Sequence, residues 1–383
     1  MKKYNLIATA SFGLESVVAD ELKELGYTDI KVDNGKVEFS GTSSDICKTN
    51  IWLRCADRVL LKVGEFEAKT FEELFEKTKS LPWSSIIDRD GKFPVAKISS
   101  VKSQLFSKSD SQAIVKKAIV ESLKQKYKAD WFAETGADFE IKVQILKDRV
   151  TLAIDTSGEG LHKRGYRPIL NKAPIKETMA AALIKLSKWK GGKRPFLDPT
   201  CGTGTFLIEA AMIAKNIAPG VNRKFASEKW SIISEEEWLD ARDEAFSAEN
   251  DSNPVIIGSD IDSNTINIAS KNIEAAGLSD VITLETKDLK DISSSLEYGA
   301  IISNPPYGER ISETLEIEAL YKTMGHVFKS KFPTWSYYII TSYEGFENKF
   351  GKKSDKNRKL FNGGIQCYFY QYYGPRPPKD KLD

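Results

Sequence analysis

Four polar side chains close successive apolar runs in the second half of the chain: Asp198, Asp260, Asp288 and Asn304. Parallel α/β sheets bind their ligands beyond the carboxyl ends of the strands, so these side chains are predicted to meet in one site. The two oxygens of Asp260 suit a ribose diol, and Asp288 is placed to accept a hydrogen bond from an exocyclic adenine amine. Each residue alone is also explained as a helix cap. Their recurrence at four strand ends favours a nucleotide-binding site.

A glycine-bearing turn follows the first of these strands in "DPTCGTGTFLIEAA", which starts at Asp198. Gly202 and Gly204 permit positive φ angles and let a ligand approach the backbone before the next helix begins. Leu207 replaces the third glycine of the dinucleotide fingerprint, and the sequence does not match a phosphate-binding P-loop. Taken alone, this G-x-G pattern is as compatible with a structural turn as with a cofactor loop.

The fourth strand leads into a rigid turn, "NPPY", which runs from Asn304 to Tyr307. Proline fixes φ, and the residue before a proline avoids the helical region, so the chain is held extended just past the strand end. The sequence thus immobilises an amide and an aromatic ring where α/β folds place their ligands. A proline-rich turn with a core tyrosine is the alternative interpretation of the same residues.

A sheet is needed to bring these residues together, and the chain from about residue 173 alternates strand and helix patterns. This alternation predicts an α/β fold with a doubly wound, mostly parallel sheet over residues 165–383. Asn362, Gly363 and Gly364 then separate two alternating runs, which predicts an antiparallel hairpin that closes the sheet. The polar stretch of residues 218–254 is predicted to be an insertion between two core elements.

The first half of the chain predicts two smaller α+β modules. Residues 1–55 follow a β-α-β-β pattern of ferredoxin-like type, with a hairpin turn at Asn34 and Gly35. Residues 56–160 form the second module, and its longest helix is predicted over residues 111–127. The segment "DTSGEGLHKRGYR", rich in glycine, serine and basic residues, is predicted to connect this module with the C-terminal domain.

Charge is uneven along a chain whose net charge is only +2 over 383 residues. Residues 92–128 carry a local excess of seven positive charges, and residues 349–383 carry an excess of six. Such patches suit a polyanion, although a solvated helix face explains either patch equally well.

The numbers and spacing of the cysteines and histidines indicate whether the protein has a metal site or disulfide bonds. Four scattered cysteines without a C-x-x-C pair, and only two histidines, argue against a zinc site and against a disulfide framework. The N-terminus lacks the apolar core of a signal peptide, and no apolar run reaches transmembrane length. We therefore expect a cytoplasmic protein with no metal and no membrane partner.

The motifs "DPTCGTGTFLIEAA", "GSDID", "KDL" and "NPPYGER" together resemble those of class I S-adenosylmethionine-dependent amino-methyltransferases. The preceding "LHKRGYR" and "APIKETMAAALI" resemble the branch with a THUMP domain, and most closely the bacterial large-subunit ribosomal RNA guanine-N2 methyltransferase family. The resemblance covers nearly the whole chain. It implies S-adenosylmethionine as cofactor, S-adenosylhomocysteine as product, and structured RNA as partner, either 23S ribosomal RNA or a large-subunit precursor. We expect the enzyme to be a monomer.

The same resemblance implies roles for individual residues. Asp260 would hold the ribose, Asp288 the adenine amine, and residues 304–307 the target base. The expected cofactor-binding residues are Asp198, Thr200, Cys201, Gly202, Thr203, Gly204, Asp260, Ile261, Asp288, Asn304, Lys176, Glu177 and Thr178. The expected catalytic residues are Asn304, Pro305, Pro306 and Tyr307. The expected RNA contacts, from the basic segments, are Lys108, Lys116, Lys117, Lys124, Lys163, Arg164 and Arg167.

An exocyclic purine amine is a poor nucleophile because its lone pair is delocalised into the ring. Two acceptors on its N–H groups, the Asn304 side-chain oxygen and the Pro305 carbonyl, would favour a pyramidal nitrogen and tolerate the developing positive charge. Tyr307 would stack on the base, which must first leave its helix. Cys201 lies in the glycine-bearing turn of residues 199–204, called the cofactor turn below, so it is not expected to act as a nucleophile.

Three alternatives remain at this stage. The same turn serves guanine-N2 transfer in transfer RNA and adenine-N6 transfer in DNA or RNA, and the residues alone do not separate ribosomal from transfer RNA. A non-catalytic RNA-binding assembly factor with the same fold is disfavoured by the intact polar set at the strand ends. A nicotinamide oxidoreductase is disfavoured by Leu207 and by the proline turn.

Overall fold

Within the described residues, the N-terminal half contains seven strands and four α-helices. The computed structural model describes residues 2–96, 98–167, 175–192, 194–307 and 314–378, so residues 308–310 of the "NPPYGER" motif lie outside the described residues. The strands are Tyr4–Thr9 (β1), Ile30–Asp33 (β2), Lys36–Gly41 (β3), Arg58–Glu67 (β4), Ser99–Val101 (β5), Ile141–Leu146 (β6) and Arg149–Asp155 (β7). The helices are Glu15–Glu24 (α1), Ser43–Trp52 (α2), Phe71–Lys79 (α3) and Lys108–Tyr127 (α4).

These seven strands form one continuous sheet in the order β2-β3-β1-β4-β7-β6-β5. The two N-terminal modules meet inside it, because β4 pairs antiparallel with both β1 and β7. Side chains of a strand alternate between the two faces. Leu6 and Ala8 of β1 therefore enter the main hydrophobic core, whereas Ile7 faces the other side, where it packs with Leu60 and Ala153.

The C-terminal half contains a second set of seven strands. They are Phe196–Asp198 (β8), Ile256–Asp260 (β9), Ile282–Thr286 (β10), Ala300–Ser303 (β11), Ser336–Thr341 (β12), Lys356–Asn362 (β13) and Ile365–Tyr372 (β14). The helices are Glu177–Ser187 (α5), Thr205–Ala214 (α6), Glu235–Ser247 (α7), Ser263–Ala275 (α8), Thr314–Lys331 (α9) and Phe346–Phe350 (α10).

The second sheet has the order β10-β9-β8-β11-β12-β14-β13. The first five strands in this order are parallel, and β14 pairs antiparallel with β12 and with β13. The predicted α/β fold and closing hairpin are therefore confirmed. The central strands are buried on both faces, as Ile301 and Ile302 show, which is why their sequences are apolar without alternation.

The insertion packs against the N-terminal half. Its helix α7 supplies Glu237, whose carboxylate accepts hydrogen bonds from the hydroxyls of Ser43 (2.5 Å) and Ser44 (2.8 Å) on α2. The helix also begins with a capping box at Ser234, which satisfies the free N–H groups of its first turn. The insertion thus joins the catalytic domain to the ferredoxin-like module.

The segment predicted to be a connector is in large part buried. Thr156 and Ser157 have no exposed surface, and both hydrogen-bond to the side chain of Asn50 on α2, at 2.8 and 2.6 Å. The polar composition that indicated a loop is explained by these internal hydrogen bonds, which buried polar groups require. Within the described ranges, no helix is both long and apolar enough to span a membrane.

Candidate active site

The polar residues predicted to meet do so at one edge of the second sheet. Asp198 and Asp260 end β8 and β9, Asp288 lies two residues beyond β10, and Asn304 directly follows β11. These four strands are consecutive neighbours in the sheet. Their carboxyl ends therefore lie side by side, and the structure brings all four residues to the same edge.

The glycine turn after β8 has the geometry that its sequence predicts. Gly202 and Gly204 have φ angles of +54° and +85°, in the left-handed region that other residues avoid. A Cβ atom at Gly202 would meet no other atom within 4 Å, so this turn borders open space. The hydroxyl of Thr200 lies 2.6 Å from that of Ser303, which ties the turn to the end of β11. A ligand can therefore approach the backbone of the turn closely.

Asp260 is the charged residue that faces this turn. Its carboxylate accepts hydrogen bonds from the backbone N–H groups of Gly202 and Asp262, each at 3.1 Å. The side chain remains partly exposed, so its unused lone pairs are available to a diol. The turn and the carboxylate thus form one preorganised unit.

Asp198 lies beneath the turn and has only 1% of its surface exposed. Burial raises the pKa of this carboxyl well above its usual range, the N–H of Thr200 opposes that rise, and the negative charge of Asp260 adds to it. Because it is so deeply buried, Asp198 shapes the turn from within. Thr203, also buried, fixes the turn to α8, since its carbonyl accepts from the Asn272 amide at 3.1 Å.

Asp288 and Ile261 border the site on the side of β10. The Asp288 carboxylate accepts from the N–H of Lys290 at 3.0 Å and forms an ion pair with the Lys290 ammonium at 3.0 Å, and these contacts lower its pKa. Asp288 therefore caps a short helical turn while remaining partly exposed. Ile261 is 70% exposed directly after Asp260, which leaves an apolar surface beside two hydrogen-bonding carboxylates. This combination suits an adenine ring.

The proline turn is held by hydrogen bonds at both ends. The Tyr307 hydroxyl donates to the Asn304 side-chain oxygen at 2.5 Å, and the Tyr321 hydroxyl donates to the Pro306 carbonyl at 2.9 Å. Pro305 is buried and Pro306 is exposed. Sequence reasoning assigned Tyr307 only a stacking role; the structure adds that its hydroxyl fixes the rotamer of Asn304.

Helix α5 is tied through Arg167 to the start of α6, directly after the glycine turn. Glu177 forms an ion pair with Arg167 at 3.3 Å, and Arg167 also donates to the Thr205 hydroxyl at the start of α6. Burial raises the pKa of Glu177, and Arg167 opposes that rise. Lys176 stands at the N-cap of α5 and is partly exposed.

Thr178 is placed differently from the prediction. It is 2% exposed, and its hydroxyl donates to the carboxylate of Asp57 at 3.2 Å, next to the ferredoxin-like module. The helical spacing brings Glu177 towards the cofactor turn and turns the next residue away from it. Thr178 therefore belongs to the contact between the two halves of the protein.

Cys201 is buried in the cofactor turn, with 6% of its surface exposed. Burial raises the pKa of its thiol well above the usual range, and the charges of Asp198 and Asp260 raise it further. A thiol in this environment stays protonated and is not a nucleophile at neutral pH. Within the described residues, no cluster of three metal-ligating side chains is found.

Two predicted RNA contacts, Arg164 and Arg167, are wrong as direct phosphate ligands. The Arg164 side chain is 2% exposed and forms an ion pair with Glu209 of α6, which is fully buried, at 3.2 Å. Its guanidinium also donates to the carbonyls of Arg54 and Leu161, each at 2.5 Å. The Arg167 side chain is 8% exposed and is engaged by Glu177 and Thr205. The neighbouring Lys163 is exposed and forms an ion pair with Glu159 at the surface.

The basic helix α4 presents some of its predicted lysines to solvent. Lys108 and Lys117 are exposed, and Lys124 is half-buried next to Glu121 at 3.1 Å. Lys116 differs, because its ammonium pairs with Glu134 at 2.7 Å, donates to the Phe93 carbonyl and lies 3.4 Å from the Phe93 ring centroid. Lys116 therefore stabilises the module and is not free to bind phosphate.

The residues at this edge fit an adenine nucleoside joined to an amino-acid-like group. The open space at Gly202, the accessible carboxylate of Asp260 and the exposed Ile261 supply a backbone cradle, a diol acceptor and an apolar surface. Directly before Asp260, the buried hydroxyl of Ser259 has no hydrogen-bond partner among the residues that the structure describes. With the sheet order and the closing hairpin, these features define a class I methyltransferase domain.

Comparison with known proteins identifies the family. Residues 164–371 match the family model "RMKL-like, methyltransferase domain", residues 5–60 match the RlmL ferredoxin-like domain and residues 68–155 match the THUMP domain. The chain therefore belongs to the RMKL-like methyltransferase family. The predicted cofactor, S-adenosylmethionine, is confirmed by this assignment.

Similar proteins include two curated relatives. The chain is 52% identical over the full length of both proteins to YpsC of Bacillus subtilis (strain 168), which is named as an RNA methyltransferase. It is 35% identical to the ribosomal RNA large subunit methyltransferase K/L of Psychromonas ingrahamii, over 97% of this chain and 50% of that protein. The present chain thus spans half the length of the second relative.

Two solved structures share the fold over nearly the whole chain. A protein from Listeria monocytogenes, named as an N6-adenine-specific DNA methylase, is 53% identical with a TM-score of 0.93, covering 98% of this chain and 97% of that one. SMU.472, a methyltransferase in complex with S-adenosylhomocysteine, is 46% identical with a TM-score of 0.92, covering 99% of this chain and all of the other.

Replacing Asp260 tests the assignment of the cofactor-binding carboxylate. Asp260→Ala removes a charged acceptor, which is expected to weaken S-adenosylhomocysteine binding by about 1.5–3 kcal/mol. Asp262→Ala is the matched control, because Asp262 is exposed and its carboxylate caps α8, accepting from Asn264 at 2.9 Å. Calorimetry should show weaker binding only for the first variant. Unchanged affinity in folded Asp260→Ala protein would mean that another carboxylate holds the ribose.

Proposed function

We propose that the protein transfers the methyl group of S-adenosylmethionine to the exocyclic N2 amine of a guanine in large-subunit ribosomal RNA. The observation that carries this proposal is the turn after β11, in which the Asn304 oxygen is held 2.5 Å from the Tyr307 hydroxyl. An amide oxygen has two lone pairs, so one remains for an amine of the substrate. This free lone pair supports methylation of an amine. The N-terminal modules would bind the RNA that carries the amine.

The bound cofactor would supply an electrophilic methyl group on a sulfonium. The residues of the chain would position the target amine and stabilise the charge that develops on it. The Asn304 side-chain oxygen and the Pro305 carbonyl would accept hydrogen bonds from the two N–H groups of the target amine. These hydrogen bonds would favour a pyramidal nitrogen and stabilise positive charge as it develops on that nitrogen. Because Pro305 is buried and Pro306 is clamped through Tyr321, these acceptors do not have to reorganise during the reaction.

Tyr321 extends this support into the sheet. Its ring is fully buried, and its hydroxyl lies 2.9 Å from both the Pro306 carbonyl and the Thr341 hydroxyl at the end of β12. The proline turn is thereby fastened to the neighbouring strand. The turn would act by accepting hydrogen bonds, and the proton lost from the methylated nitrogen would pass to solvent.

RNA as the substrate is supported by the architecture of the first half. The chain carries a ferredoxin-like and a THUMP module, for which we propose boundaries at residues 1–55 and 56–160, ahead of a catalytic domain at 165–383. Both relatives named above are described as RNA methyltransferases. We further propose that the protein acts as a monomer in the cytoplasm, where its four buried cysteines would stay reduced.

Three lysines of α4, of which Lys108 and Lys117 are exposed and Lys124 is half-buried, are expected to contribute to RNA affinity through phosphate contacts. Replacing Lys108, Lys117 and Lys124 together by Gln should lower RNA affinity and reduce the slope of log K against log salt by about 2–3. Lys116 is left in place because it stabilises the module through Glu134. Filter binding at several salt concentrations measures both quantities, and cofactor affinity should not change.

The control for this experiment is a double variant, Lys271→Gln with Lys322→Gln, which removes exposed charges from helices α8 and α9 of the catalytic domain. It should leave the salt slope close to that of the unmodified protein. If the α4 variant matches this control, the basic helix is a solvated face and the basic residues after 349 become the better candidate for RNA contacts.

Adenine N6 is the second candidate target, because one of the similar structures is named as an adenine-N6 DNA methylase and the same proline turn suits either amine. Comparing nucleosides in ribosomal and transfer RNA from cells with and without the protein separates the candidates. We expect N2-methylguanosine to be lost from the large-subunit RNA alone. Loss of N6-methyladenosine, or of N2-methylguanosine from transfer RNA, would replace the proposed substrate.

A further inference from the structure

Two aromatic rings from distant parts of the chain meet at the edge strand of the second sheet. Phe12 lies in the loop between β1 and α1, and Phe361 lies on the edge strand β13. Their ring centroids are 6.0 Å apart in an edge-to-face arrangement. Phe12 nevertheless remains 55% exposed, so much of its apolar surface faces solvent. An exposed aromatic ring at a contact between two modules indicates a surface that binds a partner.

The loop that carries Phe12 is fixed on both sides. The Gly13 N–H donates to the Glu15 carboxylate at 2.9 Å, and the Gly13 carbonyl accepts from the Arg358 guanidinium at 3.0 Å. Gly13 has a φ angle of +89°, and a Cβ atom there would approach the Lys359 carbonyl to 3.0 Å. A side chain at this position would be strained and crowded, so glycine permits the close approach of the loop to β13. Phe12 is therefore held in place before any partner binds.

The aromatic pair lies at the edge of the sheet that carries the residues proposed to hold the target base. Because β14 pairs antiparallel with β12, the turn between β13 and β14 lies beyond Thr341 at the carboxyl end of β12, on the same edge of the sheet as Tyr307. Tyr307 in turn holds Asn304 at 2.5 Å. The two rings and the Asn304 amide therefore lie at the same edge of the second sheet, and Phe361 faces the side of β13 opposite Asn362 because strand side chains alternate.

Positive charge surrounds the same edge. The Lys359 ammonium lies 5.6 Å from the Phe361 ring centroid, and Lys356 and Lys359 are both exposed on β13. An exposed ring that packs on a half-buried ring and is flanked by lysines suits single-stranded nucleic acid, because a base can stack on the exposed ring while ammonium groups meet the phosphates. The apolar surface is small and bordered by charge, which does not suit a stable protein interface.

We propose that Phe12 and Phe361 form a stacking platform for the unpaired nucleotide next to the methylated base. This inference rests on the proposed function, because a target base that leaves its helix also leaves its neighbour without a stacking partner. Stacking on Phe12 would replace the lost contact and fix the register of the RNA. Since Phe12 comes from the ferredoxin-like module, that module completes the substrate site of the catalytic domain.

The platform is tested with Phe12→Ala, Phe12→Trp and the matched control Phe246→Ala. Phe246 on α7 is 53% exposed, which is nearly the exposure of Phe12. Each variant is assayed for methyl transfer to large-subunit RNA purified from cells that lack the protein. Phe12→Ala should raise KM for RNA by about 10-fold with a smaller change in kcat, and Phe12→Trp should restore it. Phe246→Ala should behave as the unmodified protein.

A second measurement does not depend on methyl transfer. Binding of a short single-stranded RNA of mixed sequence should be weakened by Phe12→Ala and retained by Phe12→Trp, while the midpoint of thermal unfolding and the affinity for S-adenosylhomocysteine stay the same. Unchanged KM and unchanged RNA binding in Phe12→Ala protein overturn the platform and leave the proposed function intact. If the unmodified protein methylates no guanine but its RNA binding still depends on Phe12, the platform stands and the proposed function fails.

Discussion

Asn304→Ala is expected to lower kcat by about 100-fold or more while leaving S-adenosylhomocysteine affinity nearly unchanged. The Asn304 oxygen already accepts a hydrogen bond from Tyr307 at 2.5 Å, so it is oriented before substrate binds. Its second lone pair acts mainly on the nitrogen as positive charge develops, and the loss should therefore appear in turnover. Single-turnover kinetics with saturating RNA measure this directly.

Tyr307→Phe provides the matched comparison. It keeps the ring but removes the hydroxyl that fixes Asn304, so kcat should fall by less than in Asn304→Ala, by about 10-fold. If Tyr307→Phe lowered kcat as much as Asn304→Ala does, the contribution of Asn304 to turnover would depend entirely on its orientation by the Tyr307 hydroxyl. Near-normal turnover in Asn304→Ala itself would contradict the proposed chemistry.

Arg164→Ala is expected to destabilise the catalytic domain by about 3–5 kcal/mol, because it leaves the buried carboxylate of Glu209 without its cation. Two backbone carbonyls, of Arg54 and Leu161, also lose a donor. Each kcal/mol corresponds to about 2–4 °C in the unfolding midpoint of a domain of this size, so calorimetry should record a large downward shift.

Lys163→Ala is the control for this prediction. The Lys163 ammonium pairs with Glu159 at 3.2 Å, but both side chains are mostly exposed, and such pairs contribute at most about 1 kcal/mol. A normal unfolding midpoint for Arg164→Ala, together with a loss of RNA affinity, would restore Arg164 as a phosphate ligand and remove its assigned structural role.

The catalytic edge of the sheet was predictable because its signal is local. A parallel strand shows as a short apolar run, and the polar residue that follows each run faces the same edge whatever the rest of the chain does. Asp198, Asp260 and Asn304 were located in this way. The open space at Gly202 likewise follows from the need for a positive φ in the turn.

The roles of the basic residues were not predictable in the same way. An arginine that binds phosphate and one that neutralises a buried carboxylate look identical in sequence, and Glu209 lies 45 positions after Arg164. The fusion of the two N-terminal modules into one sheet depends on β1 pairing with β4, which has no local signal. The same holds for Phe12, whose partner Phe361 lies at the opposite end of the chain.

The measurement that tests the proposed activity most directly is methyl transfer by the purified protein. Large-subunit RNA from cells lacking the protein is incubated with S-adenosylmethionine that carries a deuterated methyl group, and the digested nucleosides are analysed by mass spectrometry. We predict deuterated N2-methylguanosine with the unmodified protein and none above background with Asn304→Ala. Label in N6-methyladenosine, or no label in any nucleoside, would contradict guanine-N2 methylation of this RNA.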